Sequence, residues 1–229
     1  MKRLSYILLI LISCASAYAQ PRLSVPELYI GVQGGVTGST VLFSPTVRYM
    51  TPIYNGARLY GNGGLVFRWN GHNHCGLQAE LNYLPRGWRE VSTAGTYERQ
   101  LHYVELPVMS HFFFGKKRGR GFINIGPQIG YCVYDDGGTG TQLTPDGPQY
   151  EPIKKRFDWG VTAGIGGGYR SRKAGMWQIE LRANFSLGTL FGGRTTDYFK
   201  TLNNPLEASI NLAWLWEFHR KKAIQTTTK

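Results

Sequence analysis

Several residues are of types that can do chemistry. His72-Asn73-His74-Cys75 places three metal-ligand types in four residues, the donors that zinc takes. No carboxylate stands near in sequence, and the segment reads as an ordinary polar turn. The glycine-rich run 164–168 is not followed by G-K-[ST], so it is not read as a phosphate loop. His102, Ser92 and Asp158 are the residues available for a nucleophile and base, and no motif joins them. Arg68, Glu80, Glu105, Glu180 and Arg182 are charges standing among apolar neighbours. Lys116, Lys117, Arg118, Arg120, Arg172 and Lys173 form two basic runs, to which Arg170, Arg220, Lys221 and Lys222 add. What these groups can do depends on the elements that carry them.

The elements are strands. Glycine supplies 30 of 229 residues, about twice its ordinary share, and aromatics supply 14%. Neither helical bundles nor disordered chains have that composition. In the last segment Leu206, Ala208, Ile210, Leu212, Trp214, Trp216 and Phe218 alternate with Glu207, Ser209, Asn211 and Glu217. This period of two is a strand signature. The same alternation predicts strands over 28–37, 59–69, 76–86, 97–112, 122–134, 157–170, 177–187 and 205–219. Three short connections, 70–74, 115–119 and 171–175, alternate with four longer ones, 38–58, 87–96, 135–156 and 190–204.

An even number of strands, with short turns at one end and long loops at the other, predicts an all-β fold: an eight-stranded antiparallel up-and-down transmembrane β-barrel. The aromatics test the reading. Trp69, Phe112, Tyr169, Trp177, Trp216 and Phe218 gather at the short-turn end. Tyr83, Tyr131, Phe157 and Trp159 gather at the other. Two belts around an aliphatic middle are what membrane interfaces select. A soluble sandwich would not sort aromatics by height, and a lipocalin-like barrel would turn its apolar face inward.

Residues 1–19 read as a signal peptide: Lys2 and Arg3, an apolar run, then Ala17-Tyr18-Ala19. A competing reading takes Leu11-Ile12-Ser13-Cys14 as a lipobox with Cys14 lipidated. Losing Lys2 and Arg3 lowers the formal net charge of +12 by two. Residues 20–27 are then a periplasmic segment, 28–219 the barrel and 220–229 a basic periplasmic tail. Cys75 and Cys132 are too few for a disulfide scaffold, and lie at opposite barrel ends, so both thiols are expected to be free.

Gly76-Leu77-Gln78-Ala79-Glu80-Leu81-Asn82-Tyr83 with Arg86-Gly87-Trp88, then Tyr103-Val104-Glu105-Leu106-Pro107-Val108, then 124–130 with Gly126-Pro127, resemble successive strands of PorT-like proteins. These are the "porin family" or outer-membrane β-barrel domain proteins of Bacteroidetes-type bacteria. The resemblance covers essentially the whole mature chain and implies an outer-membrane location and a small barrel. Named members are linked to protein secretion and gliding, and most have no assigned role.

On this frame Arg68, Glu80, Glu105, Glu180 and Arg182 face an eight-stranded lumen just wide enough for side chains to fill. Charges there must pair. They are expected to form a plug with Arg182 meeting Glu105; as three acids meet two bases, either one acid is protonated or a third base such as His111 contributes. A narrow ion path is the alternative. Lys116, Lys117, Arg118, Arg120, Arg172 and Lys173 form a periplasmic rim facing head groups or an acidic partner. The chain reads as a non-enzymatic structural or partner-binding component without cofactor or metal. Its expected partners are phospholipid and lipopolysaccharide, with other envelope or secretion proteins, and not nucleic acid. A small outer-membrane enzyme acting on lipid A or peptides, and an adhesin working through loop 135–156, are the other classes.

Overall fold

The computed structural model describes residues 22–44, 54–115, 118–141, 153, 155–171, 175–188 and 202–218. These form β1 (Arg22–Ser44), β2 (Tyr54–Gly56), β3 (Arg58–His72), β4 (Cys75–Ser92), β5 (Gly95–Phe114), β6 (Gly119–Asp135), β7 (Thr139–Gly140), β8 (Phe157–Arg170), β9 (Met176–Ser186) and β10 (Leu202–Glu217). The sheet runs β4-β3-β1-β10-β9-β8-β6-β5, and the β4–β5 pairing closes it into a ring. Every ladder is antiparallel. The eight long strands make the barrel, while β2 and β7 extend its edge over β4 and β5. No helix among the described residues is long and apolar enough to cross a membrane, and the crossing is made by strands.

Alternation dictates the wall. Along β9, buried and exposed residues succeed one another without a break. Ile30, Val32, Leu65, Phe67, Leu81, Ile125, Ile165, Leu181 and Ile210 point outward, while Tyr29, Gln33, Thr37, Arg68, Glu80, Asn124, Arg182 and Asn211 are buried inside. Both aromatic groups lie on the outer surface, Trp69, Trp177 and Trp216 at one end and Tyr83, Tyr131, Phe157 and Trp159 at the other. The apolar face therefore meets lipid, at the cost of placing every inward polar group in a narrow space.

Two boundaries differ from expectation. The segment 87–96 is no loop: β4 and β5 stay paired up to Ser92 and Gly95, with only Thr93 and Ala94 between them. Past Tyr83 the outward positions no longer carry a row of large apolar side chains, being Pro85, Gly87, Arg89 and Val91 on β4 and Glu98, Gln100 and His102 on β5, which masks the strand in sequence. The inward residues Trp88, Tyr97 and Leu101 keep the period and give the hairpin a small core with Tyr103 and Cys132. β1 is also longer than predicted at both ends. It starts at Arg22, paired with His72, and a register shift precedes Glu27. The short turns fall as expected. In the β8–β9 turn Gly175 has φ +75°, a left-handed backbone that favours glycine.

Candidate functional site

Five lumen strands, β1, β3, β4, β6 and β9, build the first charged layer. Arg182 from β9 reaches across to Glu80 of β4 with both Nη atoms, at 2.6 and 2.7 Å, and donates to Glu180 at 2.7 Å. Glu80 also accepts from Gln33 at 2.7 Å, Asn82 at 2.8 Å and Gln78 at 2.5 Å. Glu180 accepts from Asn124 at 2.8 Å. Arg68 donates its Nε to Gln78 at 2.7 Å and an Nη to Gln178 at 2.9 Å, with its guanidinium over the Phe122 ring. Here one bidentate pair, a second carboxylate and a set of amides satisfy charges that have left water. Gly164 makes room for it: a Cβ there would overlap the Glu180 carboxylate.

A second layer centres on Arg86 of β4. Its guanidinium meets Asp158 of β8 at 2.7 Å and also contacts Glu105 of β5 and Glu207 of β10. The Tyr103 ring lies 4.4 Å from it. Ser186 donates to Asp158 at 2.5 Å, and Asn184 donates to Glu207 at 3.1 Å. Arg86, Glu105, Asp158 and Glu207 are all buried.

The structure thus brings Arg68, Glu80, Glu180 and Arg182 together and gives Glu105 a different partner. Arg182 does not take Glu105; Arg86 does. Nor is His111 the third base. Its ring bonds Asn124 at 2.6 Å and packs against Phe113 and Phe122. Sequence reasoning missed Arg86, Asp158 and Glu207 as network members. The signal was available, since each falls on the inward parity of its strand.

Among the described residues, buried apolar side chains cluster at both ends of the lumen. Above Arg86 lie Trp88, Tyr97, Leu101, Tyr103 and Cys132, with Ile153 against them. Arg99 forks onto Asp135 at 2.9 and 2.6 Å. At the short-turn end Tyr29, Val66, Met176 and Leu215 pack together. Just outside the Trp69 rung, Glu27 accepts from Arg120 at 2.7 and 3.1 Å, from Arg170 at 2.9 Å and from Tyr29 at 3.0 Å. Arg170 also holds Glu217 at 2.5 Å. Burial alone would raise the Glu27 carboxyl; Arg120 and Arg170 outweigh it and hold it down at about 2.

Arg120 is committed to Glu27, and Arg118 is exposed with an Nη 3.3 Å from the Tyr169 hydroxyl. Lys116, Lys117, Arg172 and Lys173 lie outside the described residues, as do Cys14 and the segments 1–19 and 220–229.

The other chemical candidates do not converge. His102 sits on the outer wall, its Nδ1 2.5 Å from the Tyr83 hydroxyl and its ring beside Tyr134. Asp158 is inside with Arg86, so the wall separates the two. In 72–75, His72 and Cys75 are buried while His74 is exposed, at 3.3 Å from the Phe113 carbonyl. Among the described residues no three of His, Cys, Asp and Glu gather as a metal site. Neither Cys75 nor Cys132 is in a disulfide, and both are buried. The run 164–168 lies within β8, paired with Arg182 to Gln178 of β9.

A family model described as "Outer membrane protein beta-barrel domain" matches residues 18–192. No curated protein matches by sequence. Solved structures of similar shape include the outer membrane protein OprG from Pseudomonas aeruginosa, at 10% identity and TM-score 0.47, covering 84% of this chain and 97% of that one. AlkL in lipid bilayers gives 11% identity and TM-score 0.44, covering 88% and 97%. Ail, the attachment invasion locus protein of Yersinia pestis, in complex with a heparin analogue, gives 11% and 0.43, covering 83% and 99%.

Proposed function

Given that this chain belongs to the outer membrane protein beta-barrel domain family and resides in the bacterial outer membrane, we propose that it is a closed, non-enzymatic barrel acting as a structural or partner-binding component. One observation carries the reading. Arg182 and Arg86 each tie strands on different sides of the ring to carboxylates across the lumen, so the space a solute would use is occupied by paired side chains. With a filled lumen, the surfaces left for work are the outer wall and the two ends.

The outer end is built for that. β4 and β5 continue about nine residues past Tyr83, some 20–30 Å at ~3.3 Å per residue. Trp88, Tyr97 and Leu101 stiffen this hairpin from within, while Arg89 and Glu98 pair on its surface at 3.0 Å. A stiff projection beyond the lipid supports a partner-binding role. The secretion association of PorT-like proteins is the finer form of the proposal, and it is supported by the strand motifs around Glu80 and Glu105.

Conductance across planar bilayers tests the closed lumen. The purified barrel is expected to insert without current steps. Opening should require loss of Arg86 or Arg182. Steady current through the unaltered protein would replace this reading with a narrow channel.

A further inference from the structure

A cleft of about 400 Å³ opens on the outer wall where β8 begins and β9 ends, lined by Lys155, Arg156, Phe157, Trp159, Leu187 and Gly188. Its position follows from the ladder. The Leu187 N–H donates to the Trp159 carbonyl at 2.8 Å, and the Arg156 carbonyl accepts from Cys132 at 2.8 Å. Phe157, Trp159 and Leu187 are 58%, 44% and 41% exposed, so their apolar surface faces lipid and not the lumen. They belong to the belt at the long-loop end, which is the outer face in barrels of this topology.

Directly above this apolar floor stand two adjacent cations. Lys155 and Arg156 are exposed, and neither side chain has an ion pair or hydrogen bond among the described residues. The nearest acid in sequence, Asp158, is turned inward to Arg86 and Ser186. Most other described arginines of this protein are committed: Arg86, Arg99, Arg120, Arg170 and Arg182 all hold carboxylates.

We propose that this cleft is a binding site for one acylated, phosphorylated glycolipid of the outer leaflet. Its phosphate sits on Lys155 and Arg156, and its acyl chain lies along Phe157, Trp159 and Leu187. The guanidinium offers a planar fork to two phosphate oxygens and the ammonium a point charge to a third. Two adjacent cations suit a phosphomonoester, with up to two charges, better than the single charge of a phospholipid diester. A volume of about 400 Å³ falls in the ordinary range for pockets that take small molecules and head groups.

The test is native mass spectrometry of the detergent-solubilised full chain with three lipids. These are a hexa-acyl diglucosamine bisphosphate, its dephosphorylated form and phosphatidylglycerol. One bound bisphosphate lipid per barrel is expected, and little of the other two. Lys155→Gln with Arg156→Gln should lower its occupancy by about tenfold, the effect of losing charge-assisted phosphate contacts. Trp159→Leu should weaken it less, and Arg118→Gln, at the opposite end, should not change it. Heat-modifiable gel migration confirms that each variant is folded. An undiminished adduct in the double variant overturns the site. So does equal retention of phosphatidylglycerol or of the dephosphorylated lipid, and so does displacement by millimolar inorganic phosphate, which would assign the cleft to the free ion.

Discussion

Arg86 of β4 and Asp158 of β8 stand three strands apart around the ring, and their side chains meet at 2.7 Å inside the barrel. Glu105 and Glu207 close on the same guanidinium. One cation thus holds three carboxylates, and the layer carries more negative charge than it neutralises. The effects of mutation should be unequal. Arg86→Ala strands three acids and should cost ~3–5 kcal/mol or more. Glu207→Gln keeps the shape, removes surplus repulsion and should fall within ~1 kcal/mol of neutral, on the stabilising side. Urea unfolding of the refolded barrel, followed by tryptophan fluorescence, measures both. A loss for Glu207→Gln as large as that for Arg86→Ala would remove the excess-charge account.

The layer below is balanced, with Arg68 and Arg182 against Glu80 and Glu180. Arg182→Ala should destabilise by ~3–5 kcal/mol, because Glu80 loses its bidentate partner while remaining buried. Adding Glu80→Gln should restore part of that loss, whereas adding Glu105→Gln should not, since Glu105 belongs to Arg86. A double-mutant cycle on the two pairs reads the difference directly. Equal rescue by both second changes would mean that the layers act as one.

Why the pairing escaped the sequence while the barrel did not is a matter of geometry. A period of two tells which residues face inward, so Arg68, Glu80, Glu105, Glu180 and Arg182 were legible as lumen charges. Which of them touch depends on strand tilt and stagger, which alternation does not encode. Arg86 looked like the edge of a loop because Pro85, Gly87 and Arg89 interrupt the apolar outward face, although Trp88 inside keeps the period. Glu27 was hidden for a related reason. It lies just before residue 28, where the alternation predicts the strand to begin, and its partners Arg120 and Arg170 come from strands far away in sequence.

Glu27 gives the short-turn end of the barrel a pH dependence. Its carboxyl is held at about 2 in the folded chain against an ordinary 4.5. The folded value is the lower one, so its contribution to stability is complete above about pH 4.5 and is lost as pH falls toward 2. Allowing for partial solvent screening, the contribution is about 1–2 kcal/mol. Unfolding midpoints should fall over that window, and Glu27→Gln should flatten this part of the profile while lowering stability at neutral pH. An unchanged acid limb in Glu27→Gln would show that the arginines do not depend on it.

The two thiols report on the two ends separately. Cys132 is 2% exposed, in the cluster of Trp88, Tyr97, Leu101 and Tyr103 at the long-loop end, and Cys75 is buried at the start of β4 near the short turns. Neither should react with a maleimide in the folded barrel, because reagent must wait for local opening. Removing the Trp88 indole takes away the largest side chain of the cluster around Cys132 and leaves the short-turn end untouched. Trp88→Ala should therefore speed labelling of Cys132 by about tenfold or more, the effect of ~1.4 kcal/mol on the opening equilibrium. Cys75 is the internal control. If both thiols accelerate together, the barrel opens as a unit. If Cys132 alone accelerates, the hairpin cap is a separately stabilised lid on an otherwise rigid cylinder, as its own small core implies.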